Sequence, residues 1–394
     1  MDFEEFREQF KDDIAERLYG DGYGSMEFQD QETRKVNEKY ESTCIKPEGS
    51  NVGVNLNVEA AYKAYQDGTP YDEIVDSTIK VVENGFDNMP RGDFEQIKNY
   101  DTAKERLTME VVAISGNEEM LANLPHKEME DMAVIYRLDA SDIAGQNASI
   151  VVTNQMVDSY GITPEQLHAD ALKNAPEIKP VVIEGMAEVL AKQMGVEDLE
   201  MLGLNIPPEQ EKIFVASVEG NVHGAGVIAY TDFMDQAAER VGGDFYLLPS
   251  SRHEVLLVPD DGTIDLKSLE NMVREVNATT VSAEDKLTDS VYHYDSQEKV
   301  FELAEKYVDR QRDIDKAETA EKEAVKPDPE VPPKDPVAPD IKASVDKAEA
   351  KAEGKETEPT ERKSVLADLK AKKEQVAAQP RKEVDKSKHK SQER

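Results

Sequence analysis

The distribution of charge constrains this chain more than any other feature of its sequence. Residues 311–394 hold 20 basic and 20 acidic side chains, whereas residues 1–310 hold 27 basic and 63 acidic ones, so the whole net charge of −36 belongs to the first 310 residues. Residues 311–394 are also poor in large apolar side chains, which a hydrophobic core needs. The pattern predicts an acidic folded body and a disordered, charge-balanced tail.

Length and composition predict how that body is organised. A body of this size buries a sizeable core and usually divides in two, and we predict domains at 1–106 and 107–314, with a Pro-, Lys-, Glu- and Ala-rich tail at 315–394. The single cysteine, Cys44, excludes an internal disulfide and suits a reducing cytosol. The acidic N-terminus does not resemble a signal peptide, and no apolar run approaches the roughly 18 residues of a membrane span. We therefore expect a cytoplasmic protein that does not engage a membrane.

Apolar spacing predicts the N-terminal elements. An opening helix is indicated by apolar residues at three- and four-residue steps, which share one face. They are Phe3, Phe6, Phe10, Ile14 and Leu18. Three strands and two helices are expected to follow, and the second of these helices, near 71–88, also carries a buried stripe. Its members are Ile74, Val75, Ile79, Val82 and Phe86.

Both domains are predicted to be α+β with mixed helices and largely antiparallel sheets, and the second has the more regular pattern. Strands at 213–218 and 226–230 flank a glycine-rich turn, and a second hairpin joins 244–248 to 253–258. A helix after each hairpin gives the order strand-strand-helix-strand-strand-helix. Hairpin connections are too short for parallel crossovers, so the sheet is expected to be antiparallel.

Two capping patterns predict helix starts in this domain. Thr163 is followed by Pro164 at the first helical position and by Gln166 where a capping-box partner belongs. Asp295, with Glu298 three residues later, resembles the same signal and predicts the start of a last helix.

The turn from Pro249 to Glu254 is the main candidate for chemistry. Ser250 or Ser251 could serve as a nucleophile, His253 as its base and Glu254 as the orienting carboxylate. Adjacent strand residues point to opposite faces, so the last two are poorly placed to serve each other, and no Gly-x-Ser-x-Gly motif is present. The interpretation we favour is a tight turn, with His253 opening the return strand.

Other motifs indicate no cofactor and no metal. The glycines around His223 precede a strand, whereas phosphate-binding glycines follow a strand and open a helix, so they are predicted to form a hairpin turn. The histidines and Cys44 are too dispersed for a zinc site, and Asp260-Asp261-Gly262 lacks the later ligands of a calcium loop.

The tail contains one apolar island. Val365, Leu366 and Leu369 share one face of a single helical turn, as in short motifs that fold upon binding a partner. The alternative is a frayed helix that contacts nothing.

Two segments, Tyr160–Asn174 and Asp244–Pro259, are similar to an uncharacterised domain family that is common in gut Firmicutes and often encoded on integrative conjugative elements. The similarity covers roughly the first 310 residues. A more distant similarity runs to another uncharacterised Firmicutes family, and the tail island resembles C-terminal segments of mobile-element proteins. The resemblance carries no catalytic residues, and it implies a bacterial cytoplasmic accessory protein.

Strong acidity opposes direct binding to nucleic acid or to anionic membranes, because phosphate contacts need clustered lysine and arginine. The function we favour is a non-enzymatic binding or adaptor protein that meets a protein partner. One alternative is an acidic DNA mimic that inhibits a DNA-binding protein. The other is a hydrolase centred on the Pro249–Glu254 turn.

Overall fold

The structure of the protein is a computed structural model that describes residues 1–50, 52–88, 95–145, 147–193 and 211–324, with the backbone alone described at residue 250 and at residues 318–324. The chain divides into two units, Met1–Lys316 and Ala317–Arg394, and the three sheets of the described residues all lie in the first. The tail beyond residue 324, with the predicted docking residues Val365, Leu366 and Leu369, lies outside the described residues.

Strands and helices are interspersed along the described chain. The strands are β1 Met26–Lys35, β2 Glu38–Pro47, β3 Val54–Asn57, β4 Leu107–Ala113, β5 His126–Met129, β6 Met132–Asp139, β7 Ser149–Val151, β8 Val181–Gly185, β9 Phe214–Val218, β10 Phe245–Ser251, β11 Glu254–Pro259, β12 Tyr292–Asp295 and β13 Val300–Leu303. The α-helices are α1 Phe3–Gly20, α2 Val58–Gln66, α3 Tyr71–Asp87, α4 Glu95–Lys98, α5 Tyr100–Ala103, α6 Glu118–Leu121, α7 Ser141–Ala144, α8 Asn154–Tyr160, α9 Pro164–Ile178, α10 Met186–Gln193, α11 Phe233–Val241, α12 Leu266–Thr279 and α13 Ala304–Ala324. Short 3₁₀ helices cover Lys104–Arg106 and Gly224–Ala229. The described strand pairs are antiparallel, which confirms the α+β prediction.

The N-terminal elements form one layered cluster. Helix α1 begins at a capping box in which the Asp2 carboxylate accepts the Glu5 backbone N–H and the Glu5 side chain accepts the Asp2 N–H. The predicted stripe of α3 is buried in full, as are the last four residues of the α1 stripe. Both helices pack with α2 against the sheet β1-β2-β3, so apolar periodicity alone located this core.

The tip of the β1–β2 hairpin is tied to later parts of the chain through Asn37. Its backbone N–H donates to the Asn117 side chain at 2.8 Å, and the Asn117 amide donates back to the Asn37 side chain at 2.8 Å. The Asn37 amide also donates to the carbonyl of Lys286 at 2.6 Å. These bonds join residues on either side of the predicted domain boundary near residue 106. The boundary itself stays a prediction.

Two further sheets enclose the largest core cluster. One has the order β4-β6-β5, with β7 also paired to β6, and the other has six strands in the order β13-β12-β10-β11-β9-β8. Apolar side chains from both sheets, from α9 and from the 3₁₀ helix Gly224–Ala229 meet in this cluster. Helix α9 begins as predicted, with the Thr163 side chain accepting the Gln166 N–H and Pro164 in the first turn.

The predicted strand Gly226–Tyr230 is wrong, because residues 224–229 form a 3₁₀ helix. A Cβ added at Gly226 would overlap the Met109 carbonyl, and one added at Gly224 would overlap Ser217 and the His253 carbonyl. The glycines therefore allow the segment to press against β4 and β9, instead of turning a hairpin. Strand β9 pairs with β8 and β11.

The predicted helix start at Asp295 is also wrong. The Asp295 carboxylate accepts the backbone N–H groups of Gln297 and Glu298, as a helix cap would, but these bonds close the β12–β13 turn. Lys299 completes that turn with φ 56°. Because the same local bonds serve caps and turns, the helix begins only at Ala304.

Candidate functional site

A buried carboxylate lies at the centre of the candidate site. Glu110 is in the middle of β4 and is 0% exposed. The neighbouring strand β6 carries Arg137 on the same face, one diagonal step from Glu110 in the β4–β6 register. A charged group in such a position needs partners that compensate for lost hydration.

Three basic side chains surround Glu110. The Nη1 atom of Arg137 donates to one carboxylate oxygen at 2.9 Å, and the Nη1 atom of Arg252 donates to the other at 3.2 Å. The Nε2 atom of His223 lies 3.7 Å from the same oxygen as Arg252. We call these four residues with His253 and Asp285 the Glu110 cluster. It joins a strand of one sheet to a turn of another across 142 positions of sequence.

The Arg252–His253 turn between β10 and β11 is fixed by its own backbone. The His253 N–H donates to Ser251 Oγ at 3.1 Å, and Ser217 Oγ donates to the His253 carbonyl at 2.7 Å. The Arg252 N–H donates to the Asp285 carbonyl at 2.9 Å. These bonds fix the backbone from which the Arg252 and His253 side chains project.

Asp285 links the two side chains of that turn. Its Oδ1 lies 3.0 Å from His253 Nε2 and accepts from Arg252 Nε at 3.2 Å, while Ser282 Oγ donates to Oδ2 at 2.8 Å. Burial raises the pKa of the Asp285 carboxyl, but the hydrogen bonds from Ser282 and His253 outweigh it and hold that pKa below its usual range. Asp285 is therefore an anion that the Arg252 guanidinium and the His253 imidazole share.

Both ring nitrogens of His253 are engaged by the fold. Nε2 faces Asp285, while Nδ1 lies 3.3 Å from the His223 backbone N–H and 3.2 Å from the Asn221 carbonyl oxygen. When the ring is neutral with its hydrogen on Nε2, Nδ1 accepts from the His223 backbone N–H. When the ring is protonated, Nδ1 donates to the Asn221 carbonyl oxygen. In either protonation state neither ring nitrogen is left open to a hydroxyl nucleophile.

The loop that presents His223 owes its shape to left-handed residues. Gly220, Asn221 and His223 have φ values of 78°, 59° and 59°. Asparagine and histidine are enriched among the non-glycine residues that adopt this conformation. The loop stacks the His223 ring on that of His253, with centroids 6.0 Å apart.

The electrostatics of the cluster keep His223 neutral. Burial lowers the pKa of its imidazole to about 3, and the positive charges of Arg137 and Arg252 act in the same direction. Lys179 also faces this region and donates from Nζ to the Val222 carbonyl at 3.3 Å. Burial lowers the pKa of Lys179, with Arg137 adding to the shift and Asp139 opposing it.

The structure places Ser251, His253 and Glu254 of the hydrolase hypothesis together at the β10–β11 turn, where the Ser251 hydroxyl accepts the His253 backbone N–H. Strand β10 runs through Ser251, so the turn is Arg252–His253 and the predicted turn Pro249–Arg252 is displaced by a register shift between Leu248 and Ser251. Ser251 supports the turn, His253 lies in the turn instead of opening the return strand, and the Asp285 carboxylate lies within hydrogen-bond distance of the His253 Nε2 atom. The side chain of Ser250 lies outside the described residues.

Glu254 begins β11, where burial raises the pKa of its carboxyl. It is the residue directly after His253, whose ring nitrogens lie within hydrogen-bond distance of the Asp285 carboxylate and the Asn221 carbonyl oxygen. The orienting role that the sequence assigned to Glu254 is geometrically available to Asp285.

Sequence reasoning missed four members of the cluster: Glu110, Arg137, Arg252 and Asp285. Glu110 left one signal, because it is a charged residue inside the otherwise apolar run of β4. Such a residue in a buried strand predicts a buried partner, though it does not identify which one.

Within the described residues no group of three or more His, Cys, Asp or Glu side chains has a geometry that could hold a metal ion. In the same part of the chain, no helix combines the length and apolar character required to cross a bilayer.

The fold and the cluster define an acidic α+β protein in which one buried carboxylate holds two arginines between its sheets. The chain belongs to a family of unknown function, DUF5688, whose family model matches residues 3–296. No curated protein and no solved structure matches the chain.

Proposed function

We propose that this chain is a non-enzymatic binding protein that holds an anionic group of a partner, a carboxylate or a phosphate, between Arg137 and Arg252. The observation that supports it is the state of the two guanidinium groups. Arg137 uses Nη1 on Glu110 and Nε on Ser149, and Arg252 uses Nη1 on Glu110 and Nε on Asp285. Among the described residues neither Nη2 atom has a hydrogen-bond partner.

The cluster holds these donors ready for a ligand. The Arg137 and Arg252 side chains keep 15% and 21% of their surface exposed, so both border solvent while their Nη1 atoms bind the buried Glu110. Arginine binds carboxylates and phosphates through paired N–H groups, and a side chain already immobilised loses less entropy on binding. Lys179 and the neutral His223 add donors at the same place.

The charge of the whole body favours a small anionic group over a polyanion. Residues 1–310 carry 63 acidic and 27 basic side chains, so a nucleic acid would be repelled over most of the surface. A single side chain or a small metabolite presents its charge only at the cluster. This retains the adaptor hypothesis, with the partner contributing the anionic group.

The experiment uses the full chain and two probes, inorganic phosphate and acetate, with sodium chloride at matched ionic strength as the reference. We expect phosphate or acetate to raise the melting temperature, since a ligand that binds only the folded state stabilises it by mass action. Arg252→Gln should abolish this rise, whereas Arg274→Gln, which removes an exposed arginine of α12, should preserve it. Equal melting temperatures in all three salts would overturn the proposal.

A second variant separates binding from folding. Arg137→Lys keeps the positive charge but loses the forked donor geometry, so the anion-dependent rise should shrink while the chain remains folded. A folded Arg137→Lys protein with an undiminished rise would also count against the arginine pair. The two probes distinguish a phosphate-bearing from a carboxylate-bearing ligand.

The setting of this function is part of the proposal. A bacterial cytoplasm and an association with mobile genetic elements are supported by the sequence resemblance. The hydrolase and DNA-mimic alternatives stay hypotheses, and the engagement of both His253 ring nitrogens favours binding over the first of them.

A further inference from the structure

A groove on the N-terminal layer presents carboxylates and aromatic rings, whereas the Glu110 cluster presents arginine donors. It opens between the start of α1, the β1–β2 hairpin and α2. Its lining combines aromatic rings with carboxylates and a single lysine: Phe3, Glu32, Lys39, Tyr40, Glu41, Glu59 and Tyr62. We call it the aromatic groove.

The β1–β2 register places two of the carboxylates against each other. Glu32 is directly opposite Glu41 in the antiparallel ladder. Like charges in this position destabilise a hairpin. Glu59 adds a third carboxylate, because its Oε2 accepts the Glu41 backbone N–H at 3.3 Å. The chain thus holds three negative groups around one opening.

Lys39 is the cation of the lining, and it is shared. Its Nζ lies 3.2 Å from Glu32 and 3.2 Å from Glu119, which is outside the groove. Glu32 is paired further with Arg34 at 2.6 Å. Glu41 and Glu59 therefore give the groove a net negative charge that the described ion pairs do not cancel.

The aromatic side chains supply the other half of a cation site. Phe3 and Tyr62 meet edge to face with centroids 5.2 Å apart, and the Tyr62 hydroxyl donates to the Met1 carbonyl at 3.2 Å, which fixes its ring. Two of the three rings already have a cation of the chain over them: Lys35 Nζ is 5.5 Å from the Tyr40 centroid, and Arg7 Cζ is 5.7 Å from the Phe3 centroid. Aromatic faces beside carboxylates attract a cation both through the ring quadrupole and through direct charge.

We propose that the aromatic groove binds an arginine or lysine side chain of a protein partner. The charge complementarity described above selects a cationic occupant, and the aromatic lining selects one with an apolar stem and a flat or compact head. This ligand is cationic, whereas the one proposed for the Glu110 cluster is anionic, so different probes test the two sites and failure at one leaves the other unaffected.

The test titrates the full chain with the blocked peptide acetyl-Gly-Arg-Gly-amide, followed by NMR. Its reference is the same peptide with neutral citrulline in place of arginine. We expect saturable shifts of the Tyr40 and Tyr62 resonances with the arginine peptide, at a dissociation constant in roughly the millimolar range for one side chain. The citrulline peptide should produce none. Equal binding of both peptides would overturn the proposal.

Matched charge variants locate the site. Glu41→Gln should weaken arginine-peptide binding about threefold, as for the loss of one exposed ion pair. Glu298→Gln, in the β12–β13 turn, changes the net charge by the same amount and should leave binding unchanged. Equal weakening by both variants would mean that only the overall charge attracts the peptide, and would overturn the site.

Discussion

At the scale of single residues, Glu110 is the side chain whose environment departs most from the ordinary. A fully buried carboxylate stabilises the fold only while its partners compensate for lost hydration, and here two guanidinium groups do so. The same arrangement makes the two arginines dependent on it. Their orientation, and with it the proposed anion site, is a property of one position in β4.

Glu110→Gln should therefore be costly. It removes the shared charge but preserves the shape, so two arginines lose their buried anionic partner, and we expect the free energy of unfolding to fall by about 3 kcal/mol. Urea denaturation measures this. Glu270→Gln is the control, because Glu270 pairs at 3.3 Å with the exposed Arg274 one turn along α12, and such helical pairs contribute about 0.5 kcal/mol or less. A loss for Glu110→Gln as small as the control would show that the cluster is not a charged unit.

His223 predicts a pH dependence. Its pKa lies at about 3 in the folded chain, below the ordinary value of 6.5, so the folded state resists a proton that the unfolded state accepts. The contribution of His223 to the free energy of unfolding is complete above about pH 6.5. It is lost as the pH falls toward 3, at about 1.4 kcal/mol per pH unit. Urea denaturation between about pH 6 and pH 4 should show this slope.

His223→Asn removes the titrating group and retains a residue that tolerates the left-handed conformation at φ 59°. The variant should lose stability less steeply than the natural chain over the same pH range. Parallel curves for the two proteins would show that His223 does not carry the dependence.

At the scale of elements, the 3₁₀ helix Gly224–Ala229 explains why part of the fold escaped prediction. Its apolar residues resemble a strand, and only contacts with β4 and β9, distant in sequence, determine its shape. Helices α1 and α3 were predictable because their apolar stripes are local patterns that bury one face whatever the partner. The helix start predicted at Asp295 was wrong for a related reason, since a helix cap and a turn form the same short-range hydrogen bonds.

Gly224→Ala tests the role of close packing at this helix. The added Cβ would overlap Ser217 and the backbone carbonyl of His253, so we expect a loss of about 3 kcal/mol in unfolding free energy. Gly20→Ala is the control: no atom lies within 4 Å of its added Cβ, and alanine should be neutral or stabilising near the end of α1. Equal changes in the unfolding free energy for the two substitutions would show that close packing at Gly224 does not limit stability.

At the scale of the whole molecule, the acidic excess should govern the response to salt. A body with 63 acidic and 27 basic side chains repels itself, and added salt screens that repulsion. We expect the melting temperature of the full chain to rise between about 20 mM and about 200 mM sodium chloride. A fall would mean that the surface ion pairs outweigh the net repulsion.

The same scale shows where sequence reasoning reached its limit for the site. Charge, fold class and the helical cores follow from composition and short-range spacing. The Glu110 cluster combines residues 110, 137, 223, 252, 253 and 285, which only the packing of two sheets brings together. The sequence pointed to His253 and its turn, but the identity of its carboxylate depends on tertiary contacts that no local pattern encodes.

The amide bridge at Asn37 gives the molecule one more property. It fastens the hairpin that carries the aromatic groove to the Lys286 carbonyl, one residue from the carboxylate that holds His253. A displacement of the hairpin when the groove binds its ligand would move that segment, and with Asp285 it would move the Arg252 guanidinium that donates to it. Each ligand would then change the affinity for the other by the same factor, because thermodynamic linkage between two sites is reciprocal.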